Sequence, residues 1–234
     1  MHPSTRHPLT LAGCRLGVRM ATVAFPGFTL FAMAFGAAAS QRGLSFGQTL
    51  GLSGFVYAGA AQMVALEIWQ QVWSPATILA VMTVTAVVNA RLILLGTTLQ
   101  PWFAGEPKTL SALNLFLLTD ANWLFTTRYY HGGGRDLGVY LGAGAALWLL
   151  WIVMTSIGFF GGTLVPEPRR FGLDFVMPIF FATMLVPLWK GPRPALPWLV
   201  AGGVALAVHA LAPGYAFIVA GALAGVATGM ALDE

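Results

Sequence analysis

PATILAVMTVTAVVNARLILLGTTL, residues 75–99, contains a single charged residue, Arg91. It is long enough to cross a bilayer, since a spanning helix needs roughly 20 mainly apolar residues. The next apolar stretch, TLSALNLFLLTDANWLFTT at residues 109–127, also carries one charge, Asp120. A charge near the middle of a spanning helix costs about 2.5–3.5 kcal/mol on insertion scales. Such residues face the interior of a bundle, pair with one another, and mark a route for substrate or ions. The two stretches are joined by a short polar link at residues 100–108, which makes them antiparallel neighbours. At about 1.5 Å per residue the two charges lie within an arginine's reach of one another. They therefore pair, either as a static brace or as part of a substrate route in which Asp120 titrates.

Composition extends the same reading to the whole chain. Of 234 residues, 57% are hydrophobic and 9% charged, and mean hydropathy is +0.76. A soluble domain carries about 25% charged residues, because charge keeps its surface in water. The chain therefore reads as an all-α, polytopic membrane bundle. Further spans fall at residues 19–40, 46–70, 137–161 and 172–189. Residues 196–232 are interrupted at Pro213-Gly214, a pair that makes a turn between two short helices. The total is about eight spans, or seven if one short terminal helix is re-entrant or interfacial. Residues 1–18 form an N-terminal segment and residues 19–234 a single transmembrane domain.

The lysines and arginines are scattered through loops, which serves membrane orientation and does not suit nucleic acid. Eight crossings put Arg6, Arg15, Arg19, Arg128, Arg135, Lys190 and Arg193 on one side. Arg42, Lys108, Arg169 and Arg170 fall on the other, so the N-terminus is expected in the cytoplasm of a bacterial inner membrane. Three arginines followed by an apolar run and Ala37-Ala38-Ala39 resemble a secretory signal. That run is too long for a signal core, and it is kept as the first span. The single cysteine, Cys14, excludes an intrachain disulfide and any thiolate metal cluster. No metal or cofactor is expected.

Polar residues and a helix break inside apolar stretches are the candidate substrate-binding groups. They are Pro26 and Gly27, Tyr57, Gln62, Asn89, Arg91, Asp120 and Asn122. Pro26-Gly27 and Pro178 break a span, and backbone freed at membrane depth is tolerated where it lines a cavity. Half-helix ends of this kind hold the charged groups of amino acids in transporters. Asn89 and Arg91 lie two residues apart, about 200° on a regular helix, so one cavity takes both only if the helix unwinds. Asp120 and His209 are the candidate proton carriers. Gly221, Gly225 and Gly229 recur every fourth residue, which suits close helix packing within the chain or a seam for a partner subunit. Gly51-Leu52-Ser53-Gly54 matches the short serine motif of intramembrane proteases with His209 as a distant base, but no oxyanion-stabilising set accompanies it. There is no GxxxxGK[ST] nucleotide loop.

Four short motifs occur in order: Phe55-Val56-Tyr57-Ala58-Gly59-Ala60-Ala61-Gln62, Asn89-Ala90-Arg91, Leu118-Thr119-Asp120, and Leu173-Asp174-Phe175 leading to Pro178 and Phe180-Phe181. From about Ala24 to the C-terminus the chain resembles the AzlC family, the large subunit of two-component branched-chain amino acid exporters. The resemblance implies a secondary exporter of valine, leucine, isoleucine and sometimes methionine. It also implies a small membrane partner, AzlD. The chain departs from the usual pattern at Leu92, where many relatives carry histidine, and at Ala121, where many carry glutamate. The rival class is a membrane assembly factor that uses its glycine seams without transporting anything.

Overall fold

The computed structural model describes residues 7–69, 74–103, 105–164, 182, 186, 189, 191–212 and 216–233. Among these the regular structure is helical, with no strand. Four stretches are long and apolar enough to cross a membrane: Leu11–Gln41, Thr77–Phe103, Leu137–Gly162 and Pro192–Leu211. The molecule is thus a polytopic helical membrane protein. It divides into two compact units, Met1–Leu66 with Asn89–Val176, and Glu67–Val88 with Met177–Glu234. Expected breaks at Pro178 and Pro213-Gly214, and nearly all of the expected span 172–189, lie outside the described residues.

The first unit starts with α1 (Leu11–Ala21), eight residues before the expected start of the first span. Its N-cap Thr10 accepts a hydrogen bond from the Gly13 N–H at 2.9 Å. Thr10 in turn donates its N–H and its hydroxyl to Asp136. After a 3₁₀ turn at Thr22–Ala24 the chain continues as α2 (Phe25–Gln41). Pro26 explains the turn. It has no N–H for the Thr22 carbonyl, and Phe25 N–H reaches that carbonyl instead. The break expected at Pro26-Gly27 is therefore one tightened turn and opens no gap in the helix.

Against α1 and α2 lies α8 (Leu137–Leu164), running in the same direction. Cβ atoms added at Gly142, Gly17, Gly36 and Gly158 would lie 2.1 Å from the carbonyl oxygens of Cys14, Val139, Thr155 and Met33 respectively. Glycines from both partners thus let the two backbones touch, the arrangement that supplies van der Waals contact where lipid gives no hydrophobic drive. The sequence reading looked for such a seam elsewhere.

The expected span at residues 46–70 is broken. Ser45 caps α3 (Phe46–Gly51) through a reciprocal pair of hydrogen bonds with Gln48. A π turn at Leu52–Val56 follows, and Tyr57 then adopts the left-handed conformation, φ 44°. The chain resumes as α4 (Gly59–Ile68). By contrast α5 (Pro75–Phe103) is a continuous helix.

The expected span at residues 109–127 is a re-entrant hairpin of α6 (Lys108–Phe116) and α7 (Asp120–His131). Glu106, just before α6, accepts the His7 N–H at 2.9 Å. Tyr130, at the far end of α7, packs edge-on against the His7 ring at 6.4 Å. Both ends of the hairpin therefore meet the same N-terminal segment. Nine and 12 helical residues reach only roughly 13 and 18 Å, about half of a 30 Å hydrocarbon core. The side assignment built on eight crossings is corrected here: Lys108 lies at the same end as Arg128 and Arg135. A core of Leu99, Trp102, Phe103, Leu117, Leu118, Leu137 and Tyr140 holds the hairpin between α5 and α8.

In the second unit, α9 (Pro192–Leu211) and α10 (Ala216–Asp233) pack together. A Cβ at Gly221 would meet Ala201 O at 2.8 Å, and one at Gly225 would meet Ala201 Cβ at 3.0 Å. Gly229 faces Pro197 more loosely, at 3.9 Å. Two glycines of the stripe, Gly221 and Gly225, thus pack closely on α9 of the same chain.

Candidate substrate site

Three residues, Leu117–Thr119, separate the two arms of the hairpin, and capping chemistry makes the break. The Thr119 side chain accepts the Asn122 N–H at 3.2 Å, so α7 starts at Asp120. An aspartate there gains from the positive end of the helix dipole. Arg91 of α5 meets it, with Nη2 3.0 Å from Oδ2. Their side chains are 42% and 30% exposed in the isolated chain, so the pair is held at a surface of this unit and is not sealed in its core. One turn on, Trp123 Nε1 donates to Thr98 Oγ1 at 2.8 Å, a second bond from α7 to α5.

At the break, Asn122 is fully buried. Its Nδ2 donates to the Leu117 carbonyl at 3.0 Å while Oδ1 has no partner. Asn114 on α6 is also fully buried, and neither atom of its amide is paired. Its own carbonyl accepts the Tyr140 hydroxyl at 2.8 Å, which pins α6 to α8. An unpaired buried polar group costs about 1–3 kcal/mol, so the two asparagines concentrate unmet hydrogen-bonding capacity in this hairpin.

The break in the second element arrives at the same place. Tyr57, the only non-glycine residue with positive φ among the described residues, is buried with its hydroxyl unpaired. Its ring lies 6.2 Å from that of Phe116 at the hairpin tip. Trp148 of α8 stands 6.3 Å from Phe116 and donates Nε1 to the Gly54 carbonyl at 3.1 Å, so it ties the π turn to the hairpin. Gln62, 1% exposed and without a partner for either amide atom, sits one turn into α4. A left-handed tyrosine and unpaired amides at two helix interruptions form a strained polar centre in an apolar unit.

The remaining expected residues are placed elsewhere. Pro26 and Gly27 are exposed, and a Cβ at Gly27 meets nothing within 4 Å. Because α5 is unbroken through Asn89 and Arg91, these two point about 200° apart, and Asn89 leaves the face that carries the ion pair. His209 is exposed in the second unit, its ring 5.0 Å from Phe217. Ser53 is fully buried and donates to Thr155 Oγ1 at 3.1 Å, so its hydroxyl serves packing against α8. Among the described residues no group of three or more metal-ligating side chains occurs. Sequence reasoning missed Asn114 and Tyr140. One signal was available: Thr119-Asp120 is an N-cap followed by first-turn acid, a helix start inside an apolar run.

No solved structure matches the chain. An uncharacterized membrane protein of Helicobacter pylori (strain J99) is 27% identical over 190 residues, which is 80% of each chain. The family model described as AzlC protein matches residues 24–165, a stretch that holds the α2–α8 seam, both helix breaks, the Arg91–Asp120 pair and every unpaired amide of the polar centre. This membrane protein belongs to the AzlC family.

Proposed function

We propose that the chain is the large subunit of a secondary transporter that exports branched-chain and other hydrophobic amino acids. It acts in the bacterial inner membrane, with its N-terminus in the cytoplasm and a small AzlD-type membrane subunit as partner. The observation that carries this reading is the Arg91–Asp120 pair at the first residue of a half-length helix. A charge pair at a helix interruption in an apolar unit is costly, and transporters place such interruptions along the route of polar substrates and coupling ions. Lys108, Arg128 and Arg135 gather at the N-terminal end, which supports the cytoplasmic assignment.

Coupling to protons falls to Asp120. Asp120 joins α7 to Arg91 of α5, and the bond from Trp123 to Thr98 ties the same two helices one turn on. Apolar walls of Phe116, Trp148 and their neighbours accept the substrate side chain. Such walls discriminate one methylene by only about 1–3 kcal/mol, so valine, leucine, isoleucine and methionine compete for one site. The test is counterflow of labelled leucine in vesicles containing both subunits. Exchange that requires both chains and is inhibited by unlabelled valine and methionine is the expected result. Vesicles with correctly oriented protein and no exchange overturn the proposal.

A further inference from the structure

Resting on that transport reading, we infer that neutral groups at the hairpin tip hold the polar head of the amino acid. Asn114 is the principal contact, with Asn122 and Tyr57 beside it, while the charge pair fixes the hairpin and does not touch substrate. Arg91 and Asp120 satisfy each other at 3.0 Å. At the hairpin itself, hydrogen-bonding capacity is left over instead on both amide atoms of Asn114 and on Oδ1 of Asn122, with the Tyr57 hydroxyl unpaired beside the tip. All three residues are at least nine-tenths buried.

Their positions converge on the break. The Asn122 amide is held over it by the bond to the Leu117 carbonyl. Asn114 precedes it by one turn and is anchored through Tyr140. Tyr57 reaches it beside Phe116. A primary amide offers two N–H donors and one acceptor, which suits both a carboxylate and an ammonium group. A zwitterion has no net charge, so a neutral amide set receives it without adding an unbalanced charge to the membrane interior. Phe116 and Trp148 supply an aromatic wall for the apolar side chain.

Asn114→Leu separates binding from structure, because leucine is close to asparagine in size and has no polar atoms. If Asn114 only packs, removing its unpaired amide leaves stability equal or higher and transport untouched. If it binds the substrate head, the KM for labelled leucine counterflow rises at least about tenfold while the thermal midpoint is unchanged or raised. Asn114→Asp adds a readout of a different kind: it favours cationic leucine methyl ester over leucine as competitor, relative to the parent protein. An unchanged KM in Asn114→Leu, with parent exchange intact, overturns the inference and leaves the transport reading standing. Should Asn114→Leu lose its fold, the Asn114→Asp preference decides, and no shift toward the ester overturns the inference. Absence of exchange by the parent protein overturns both.

Discussion

Gly158→Ala tests the backbone seam on which the first unit is built. A Cβ at this position would lie 2.1 Å from the Met33 carbonyl oxygen and 2.5 Å from its Cα, against 3.4 Å for ordinary contact. The obstacle is backbone, so no rotamer change relieves it; α2 and α8 must separate by about 1 Å along their length. Overpacking of this kind costs about 1–3 kcal/mol, partly offset by the roughly 1 kcal/mol that alanine gains over glycine in a helix. The net loss is about 0–2 kcal/mol, and it is read against the gain expected of the control. Gly161→Ala, one turn on in the same helix, is the control, since a Cβ there meets nothing within 4 Å. It should be neutral or slightly stabilising. Denaturant unfolding in mixed micelles, followed by tryptophan fluorescence, measures both. Trp151 of α8 reports directly because it packs on Phe28, Phe31 and Phe35 of α2. Equal stability for the two variants would refute the seam and the parallel alignment of α2 with α8.

Single cysteines at Gly105 and Gly133, in a Cys14→Ser background, should both be labelled by a membrane-impermeant maleimide from the side of the N-terminus; labelling from opposite sides would turn the hairpin back into a crossing. Arg91→Leu should destabilise the protein by about 1–3 kcal/mol, less than the 3–5 expected for a fully buried pair because both groups are partly exposed. Adding Asp120→Leu should recover most of that loss, and a double variant no better than the single one would deny the pairing. Outside the spans, burial pushes the Asp136 carboxyl up, but hydrogen bonds from the Thr10 hydroxyl, Thr10 N–H and Gly138 N–H outweigh it and hold it below its ordinary value. The stabilisation it gives the α1 anchor is therefore complete above about pH 4, the unfolded carboxylate range, and is lost as pH falls through the lower folded value. Protection of the Gly13 and Cys14 amides, measured against the intrinsic exchange rate at each pH, should fall on acidification below about pH 4, whereas Asp136→Asn should show low protection at every pH.

What the sequence alone determined was the medium, the helical class and the charge pair. With few charges and long apolar runs, water cannot be the solvent, and in lipid a helix satisfies its own backbone. Arg91 and Asp120 were legible as partners because a charge isolated at that depth is so costly and the link between them so short. The family was legible from short motifs, the most specific of which surrounds Tyr57.

Only the tertiary structure decided the direction in which each element runs. Hydropathy counts apolar residues, and a hairpin of two half-length helices has nearly the same count as one full crossing; residues 117–119 reverse the chain without lowering it. Proline was a poor guide, since Pro26 tightened a turn while the breaks came at Tyr57 and Thr119. Glycine spacing was equally ambiguous: Gly221 and Gly225 meet α9 of their own unit, and the tightest seam joins Gly17 and Gly36 to Gly142 and Gly158. Asn114 was invisible for the same reason. A lone asparagine in an apolar run looks alike whether or not its amide is paired, and that depends on which neighbours the fold brings to it.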